Sequence, residues 1–120
     1  MRLTAITLDC ADPAALALFY QQATGLELVP ESDSDFAGLA GEGGLFIGFQ
    51  RVEGCRAPQW PGQVVPQQFH LDFGVDDLDQ AEAMLLELGA AKPALQPGGG
   101  QWRVFTDPAG HPFCLAIRRS

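Results

Sequence analysis

One pattern constrains this chain more than any other, and it occurs twice. A strand pattern over residues 4–10 leads into a helix pattern from Pro13 to Thr24, closed by Gly25. A second strand pattern over residues 69–75 leads into a helix pattern from Leu78 to Leu88, closed by Gly89. Both strands alternate apolar and polar residues, the period of a half-buried strand. Ile6, Leu8 and Cys10 oppose Ala5, Thr7 and Asp9 in the first copy; Leu71, Phe73 and Val75 oppose His70, Asp72 and Gly74 in the second. Asp12-Pro13 starts the first helix, with the aspartate as N-cap and the proline where a missing N–H costs nothing. Leu16, Phe19, Tyr20 and Ala23 then fall on one apolar stripe, and glycine ends each helix as a left-handed cap.

Three short strand candidates follow each helix. They are residues 26–30, 36–40 and 45–50 in the first copy, and 91–95, 102–106 and 113–117 in the second. Asp107-Pro108-Ala109-Gly110 places Asp, Pro and Gly where a type I turn prefers them. Residues 52–66 hold three prolines and no clean period, and read as a linker. The organisation is therefore module one (1–51), linker (52–66) and module two (67–120) within a single domain. A half of about 60 residues cannot easily bury both a helix stripe and a sheet. Pairing the halves solves that problem, so the expected fold is α+β: two tandem βαβββ modules forming a curved mixed sheet around a cleft.

Composition narrows the function. Hydrophobic residues make up 47% of the chain, which suits a packed core. Seven basic against fifteen acidic residues give a net charge of -8, and the basic residues are scattered, which excludes a nucleic-acid partner. No apolar run approaches the roughly 20 residues of a membrane span, and Met1-Arg2 runs straight into a strand, so no membrane association and a cytoplasmic location are expected. Cys10, Cys55 and Cys114 are an odd count without paired spacing, which fits neither a disulfide framework nor a zinc ribbon.

The stretches Asp12-Pro13-Ala14-Ala15-Leu16-Ala17-Leu18-Phe19-Tyr20, His70-Leu71-Asp72-Phe73-Gly74-Val75-Asp76-Asp77-Leu78-Asp79 and Asp107-Pro108-Ala109-Gly110-His111-Pro112-Phe113-Cys114-Leu115 carry a resemblance. With the duplicated βαβββ pattern, the chain resembles the vicinal oxygen chelate superfamily of glyoxalase I, bleomycin-resistance proteins and extradiol dioxygenases. It is most similar to the small bacterial glyoxalase-like domain proteins. The resemblance implies metal ligands on the first and last strands of each module. His70 occupies such a position, and Ala5, its counterpart, cannot ligate. Cys114 stands where glutamate is usual, and the counterpart in module one lies near Gly48 or Gln50. A catalytic divalent site needs about three protein ligands, so no cofactor is expected. A divalent metal held by His70, with Asp72 or Asp9 in a rearranged site, is the alternative. Homodimerisation is also implied, because open sheet edges need covering.

Without a metal, His70 beside Asp72 is a candidate acid–base or hydrogen-bonding pair; a strand histidine bonded to a neighbour is the structural alternative. Trp60 and Trp102 are the candidate pocket walls, since each sits among polar or turn residues. Arg103 is a candidate anion contact if it points inward, and a solvated surface charge otherwise. Asp9, Gln50 and Cys114 complete the candidate ligand-binding set, while His111 reads as a turn residue. The expected function is a small-molecule-binding, bleomycin-resistance-like protein with a degenerate metal site. The alternative is a metal-free or metal-dependent lyase, isomerase or dioxygenase-type enzyme using His70, and the sequence leaves open whether the chain is an enzyme.

Overall fold

The computed structural model describes residues 1–118, and the chain divides into two units, Met1–Arg56 and Ala57 onward. The boundary falls inside the segment read as a linker, so Ala57–Pro66 belong to the second unit. Each unit builds its own mixed sheet with one helix, as tandem βαβββ modules require.

In the first unit, β1 (Ala5–Cys10) leads to α1 (Pro13–Thr24), then β2 (Glu27–Leu28), β3 (Phe36–Ala40), a short 3-10 turn and β4 (Phe46–Arg51). The sheet order is β1-β4-β3-β2, with β1 parallel to β4 and the other pairs antiparallel. The Asp12 carboxylate accepts from the Ala15 N–H at 3.2 Å, satisfying one of the orphan donors at the start of α1. At the other end Gly25 adopts a φ of 77°, and its N–H donates to the Gln21 carbonyl at 2.8 Å. Leu16, Phe19 and Tyr20 are buried on one face of α1, against a sheet face carrying Leu8, Cys10, Leu39, Ile47 and Phe49. Tyr20 stacks on Phe49 with ring centroids 5.6 Å apart. Each such large side chain contributes about 1.5–3 kcal/mol by leaving water.

The opposite face of this sheet is built differently. Gly38 and Gly48 are direct partners across β3 and β4. The ring of Phe46 lies over Gly38, and that of Phe36 over Gly48, where an added Cβ would meet the ring at 2.7 Å. The two rings are nearly parallel, 6.0 Å apart. Two absent side chains thus let two phenyl rings lie on the backbone.

In the second unit, β5 (Leu71–Val75), α2 (Leu78–Leu88), β6 (Trp102–Thr106) and β7 (Pro112–Ile117) give the order β5-β7-β6. The central β7 runs parallel to β5 and antiparallel to β6. Asp77 caps α2 by accepting from the Gln80 N–H at 2.9 Å, and Gly89 closes it at a φ of 108°. Leu78, Ala81 and Leu85 are buried on α2, and the sheet contributes Phe105, Phe113 and Leu115 to the core.

The strand expected over residues 91–95 does not form; a single bridge joins Ala91 to Thr106. Pro93 has no N–H to give to a ladder. Beyond it, the Gln96 side chain does what a strand backbone would have done. Its Nε2 donates to the Val104 carbonyl and its Oε1 accepts from the Val104 N–H, both at 2.9 Å. The edge of β6 is therefore satisfied by a side-chain amide. The second strand of module one also shrinks, from residues 26–30 to Glu27–Leu28.

Candidate functional site

The face of the second sheet turned away from α2 carries the site. β5 starts at Leu71, so His70 sits immediately before the strand. Asp72 follows on the open face and pairs in register with Cys114 of β7, which pairs in turn with Val104 of β6. Strand alternation puts Trp102 and Pro112 on the same face. The loop from Ala57 folds back on itself, the Gln59 N–H donating to the Val65 carbonyl at 2.6 Å. This brings Trp60 and Gln67 to the face. Trp102 is seated against Gly98, where an added Cβ would run into the indole. The result is a pocket of about 170 Å³ walled by Trp60, Trp102, His70, Gln67, Val104 and Cys114, with Pro112 beside them.

Its chemistry centres on three groups. His70 Nε2 is 3.4 Å from Asp72 Oδ1, and ligand atoms of His70, Asp72 and Cys114 all lie within 4.8 Å of one another. Burial pushes the Cys114 thiol up to about 11, helped by the charge of Asp72 and a hydrogen bond to it. At neutral pH the thiol is therefore protonated and a poor nucleophile. Gln67 adds a second feature: its Oε1 is buried and has no hydrogen-bond partner.

The two N-caps, Asp12 and Asp77, fix how the modules correspond. Ala5 stands where His70 does, and Thr7 where Asp72 does. Thr7 pairs with Gly48 just as Asp72 pairs with Cys114, so the counterpart of Cys114 is Gly48 and not Gln50. Of the positions that family resemblance marks for ligands, Ala5 and Gly48 offer no side-chain donor. The Phe36 ring and the Thr7 hydroxyl, 2.7 and 3.0 Å from where a Gly48 Cβ would be, already fill that spot. The residues present do not complete the ligand set that the resemblance implies.

Five of the candidates from sequence, His70, Asp72, Cys114, Trp60 and Trp102, are brought together. Asp9 and Gln50 lie in the first unit, side by side on β1 and β4. Arg103 faces α2, where its guanidinium contacts Asp79 at 2.8 Å and Glu82 at 3.3 Å. Its charge is held by those carboxylates, Asp79 foremost, which raise its already high pKa. His111 lies in the turn before β7, its backbone N–H donating to the buried Asp107 carboxylate at 3.0 Å. Gln67 was not a candidate. It precedes β5, where no strand period yet assigns a face, so its sequence neighbourhood carries no signal.

A mixed sheet backed by one helix in each of two βαβββ modules, with chemistry on the open face, defines a glyoxalase-like protein. The model of the glyoxalase-like domain family matches residues 5–116, and the chain belongs to that family. It is 36% identical over 108 residues to a glyoxylase, so named provisionally, of Mycobacterium tuberculosis, and to that of Mycobacterium bovis. That match takes in 87% of this chain, which spans about 40% of the length of those relatives. Among solved structures, a glyoxalase/bleomycin resistance protein/dioxygenase family enzyme from Burkholderia phytofirmans superposes with a TM-score of 0.73, at 21% identity, over 98% of each chain. The fosfomycin resistance protein FosX of Listeria monocytogenes, solved with Mn(II) and 1S,2S-dihydroxypropylphosphonic acid, gives 0.72 at 20% identity, over 98% of this chain and 90% of that one. These two likenesses describe the fold. Among the described residues, no helix is long and apolar enough to cross a membrane.

Proposed function

We infer that this chain is a small-molecule-binding protein of the bleomycin-resistance-like kind, with a degenerate metal site. The observation that carries this reading is the pocket on the open face of the second sheet. It combines two indoles with a few polar groups, the usual make-up of a small-molecule site. Ala5 and Gly48 support the second half of the reading, since neither offers a donor where metal-using relatives place one. We extend the proposal to a homodimer, on the resemblance, and to a cytoplasmic location, on the sequence pattern.

One observation favours a second reading, an enzyme of lyase, isomerase or dioxygenase type using His70. The donors of His70, Asp72 and Cys114 lie close enough to serve one reacting centre. A thermal-shift screen of small aromatic and polar compounds, with and without divalent metals, separates the two. A stabilising compound that is recovered unchanged after incubation supports the binding protein. Conversion of a stabilising compound, with or without metal, that is lost in His70→Ala supports the enzyme.

A further inference from the structure

The charges around the pocket select among ligands. We propose that it takes a small molecule carrying a protonated amine on an apolar or aromatic body, with the ammonium group beside the Asp72 carboxylate and the body against the pocket walls. This deepens the proposed binding function and rests on it.

The geometry brings a carboxylate to this site and turns the neighbouring guanidinium groups away from it. Asp72 stands next to Cys114 in the register of β5 and β7. Its Oδ1 is 3.4 Å from His70 Nε2, and a carboxylate oxygen lies within 4.8 Å of the Cys114 sulfur. His70 and Cys114 are both walls of the pocket, and among the described residues no Lys or Arg lines it. Arg103, next in sequence to Trp102, is held on the other face by Asp79 and Glu82. Arg118, just beyond β7, is paired with Asp76 at 3.2 Å.

The carboxylate has room for a further partner. An ionised carboxyl accepts at about four lone-pair positions, more than His70 and the Cys114 thiol can fill. The Asp72 side chain is 72% exposed, so a ligand reaches it from the open side of the pocket and its ammonium group keeps part of its water there. A fully buried cation would lose that water at high cost. The Cys114 thiol feels the same field from the pocket wall, where the charge of Asp72 helps to hold its proton on. What opposes a thiolate at that wall opposes an anionic ligand group and favours a cation. Indole, the side-chain ring that attracts cations best, makes up two of the other walls.

Both tryptophans of the chain line this pocket, so their indole N–H signals in a nitrogen–proton NMR spectrum report on it. Benzylamine, benzyl alcohol and benzoate share one ring and differ in charge. They are titrated into the full chain at pH 8, above the ordinary imidazole range of about 6.5. The protonated amine is expected to shift the indole signals saturably and to bind about fivefold more tightly than the alcohol, with benzoate weakest; the modest factor reflects the exposure of Asp72. In Asp72→Asn the preference for amine over alcohol should vanish. In the unaltered chain, about 1 M salt should shrink it by screening a charge open to solvent. Equal binding of amine and alcohol by the unaltered chain, or a preference that survives in Asp72→Asn, overturns the charge assignment and leaves the binding function standing. Should that variant not fold, a preference indifferent to salt overturns the assignment as well. Failure of all three compounds to shift either signal removes the proposed binding function too.

Discussion

The two modules share a plan and differ in what their open faces carry. At corresponding positions, module one has Ala5, Thr7 and Gly48, and module two has His70, Asp72 and Cys114. The first face is closed by two phenyl rings lying on paired glycines; the second is left concave, with indoles at its walls. The buried faces of the two sheets are alike, each presenting large apolar residues to its own helix. The two copies therefore share the apolar face that folds each module and differ on the face free of that duty, where the candidate pocket residues belong to the second copy.

Removing a core ring is expected to have the largest effect, in either module. Phe49→Ala and Phe113→Ala should each lower the unfolding free energy by about 3–5 kcal/mol in urea titrations. A markedly smaller loss at one of them breaks the claim that the buried faces are equivalent. Gly48→Cys makes module one resemble module two at the diverged position, and puts a side chain into the Phe36 ring. Overpacking there should cost about 2 kcal/mol; a neutral result means the phenyl cover is not fixed. Gln96→Ala strips β6 of its side-chain partner and should cost about 1–2 kcal/mol by leaving Val104 backbone groups unpaired. Amide exchange at Val104 should accelerate in the same variant.

Cys114 gives a pH test of the second face. With the folded thiol at about 11, the native state keeps a proton that the unfolded chain releases near 9. Stability from this group is complete below pH 9 and is lost as pH rises toward 11. Thiol-reagent mapping at pH 8 should find Cys114 slow to react, and faster in Asp72→Asn, because the charge and hydrogen bond of Asp72 both hold the proton on. An unaltered rate would place the whole effect in burial. The smallest effect is expected from Arg103→Gln, which should leave ligand affinity unchanged, since the guanidinium faces Asp79 and Glu82 and not the pocket.

Much of the architecture was legible in the residues. Asp12 and Asp77 as caps, Gly25 and Gly89 as stops, and the alternation along residues 71–75 all mark their elements locally. What escaped was decided by contacts distant in sequence. Residues 91–95 have a strand's apolar content, yet Pro93 and the reach of Gln96 to Val104 replace the ladder. Sequence offered Gly48 or Gln50 as the counterpart of Cys114, and only the pairing of Thr7 with Gly48 decides it. For the site, alternation indicated that His70 and Asp72 share a face. Alternation over residues 102–106 already sets Arg103 opposite Trp102, so the two could not both line one pocket; which of them turns to α2 depends on contacts beyond the strand. Gln67 lay before any period began.

The most direct test of a one-sided, degenerate site is the metal content of the purified chain after exposure to Mn, Fe, Ni and Zn in turn, followed by desalting, with His70→Ala measured in parallel. The account predicts less than stoichiometric metal in both proteins, for every ion. One equivalent of metal retained by the unaltered chain and lost in His70→Ala would contradict it, and would make the His70, Asp72 and Cys114 cluster the core of a rearranged metal centre.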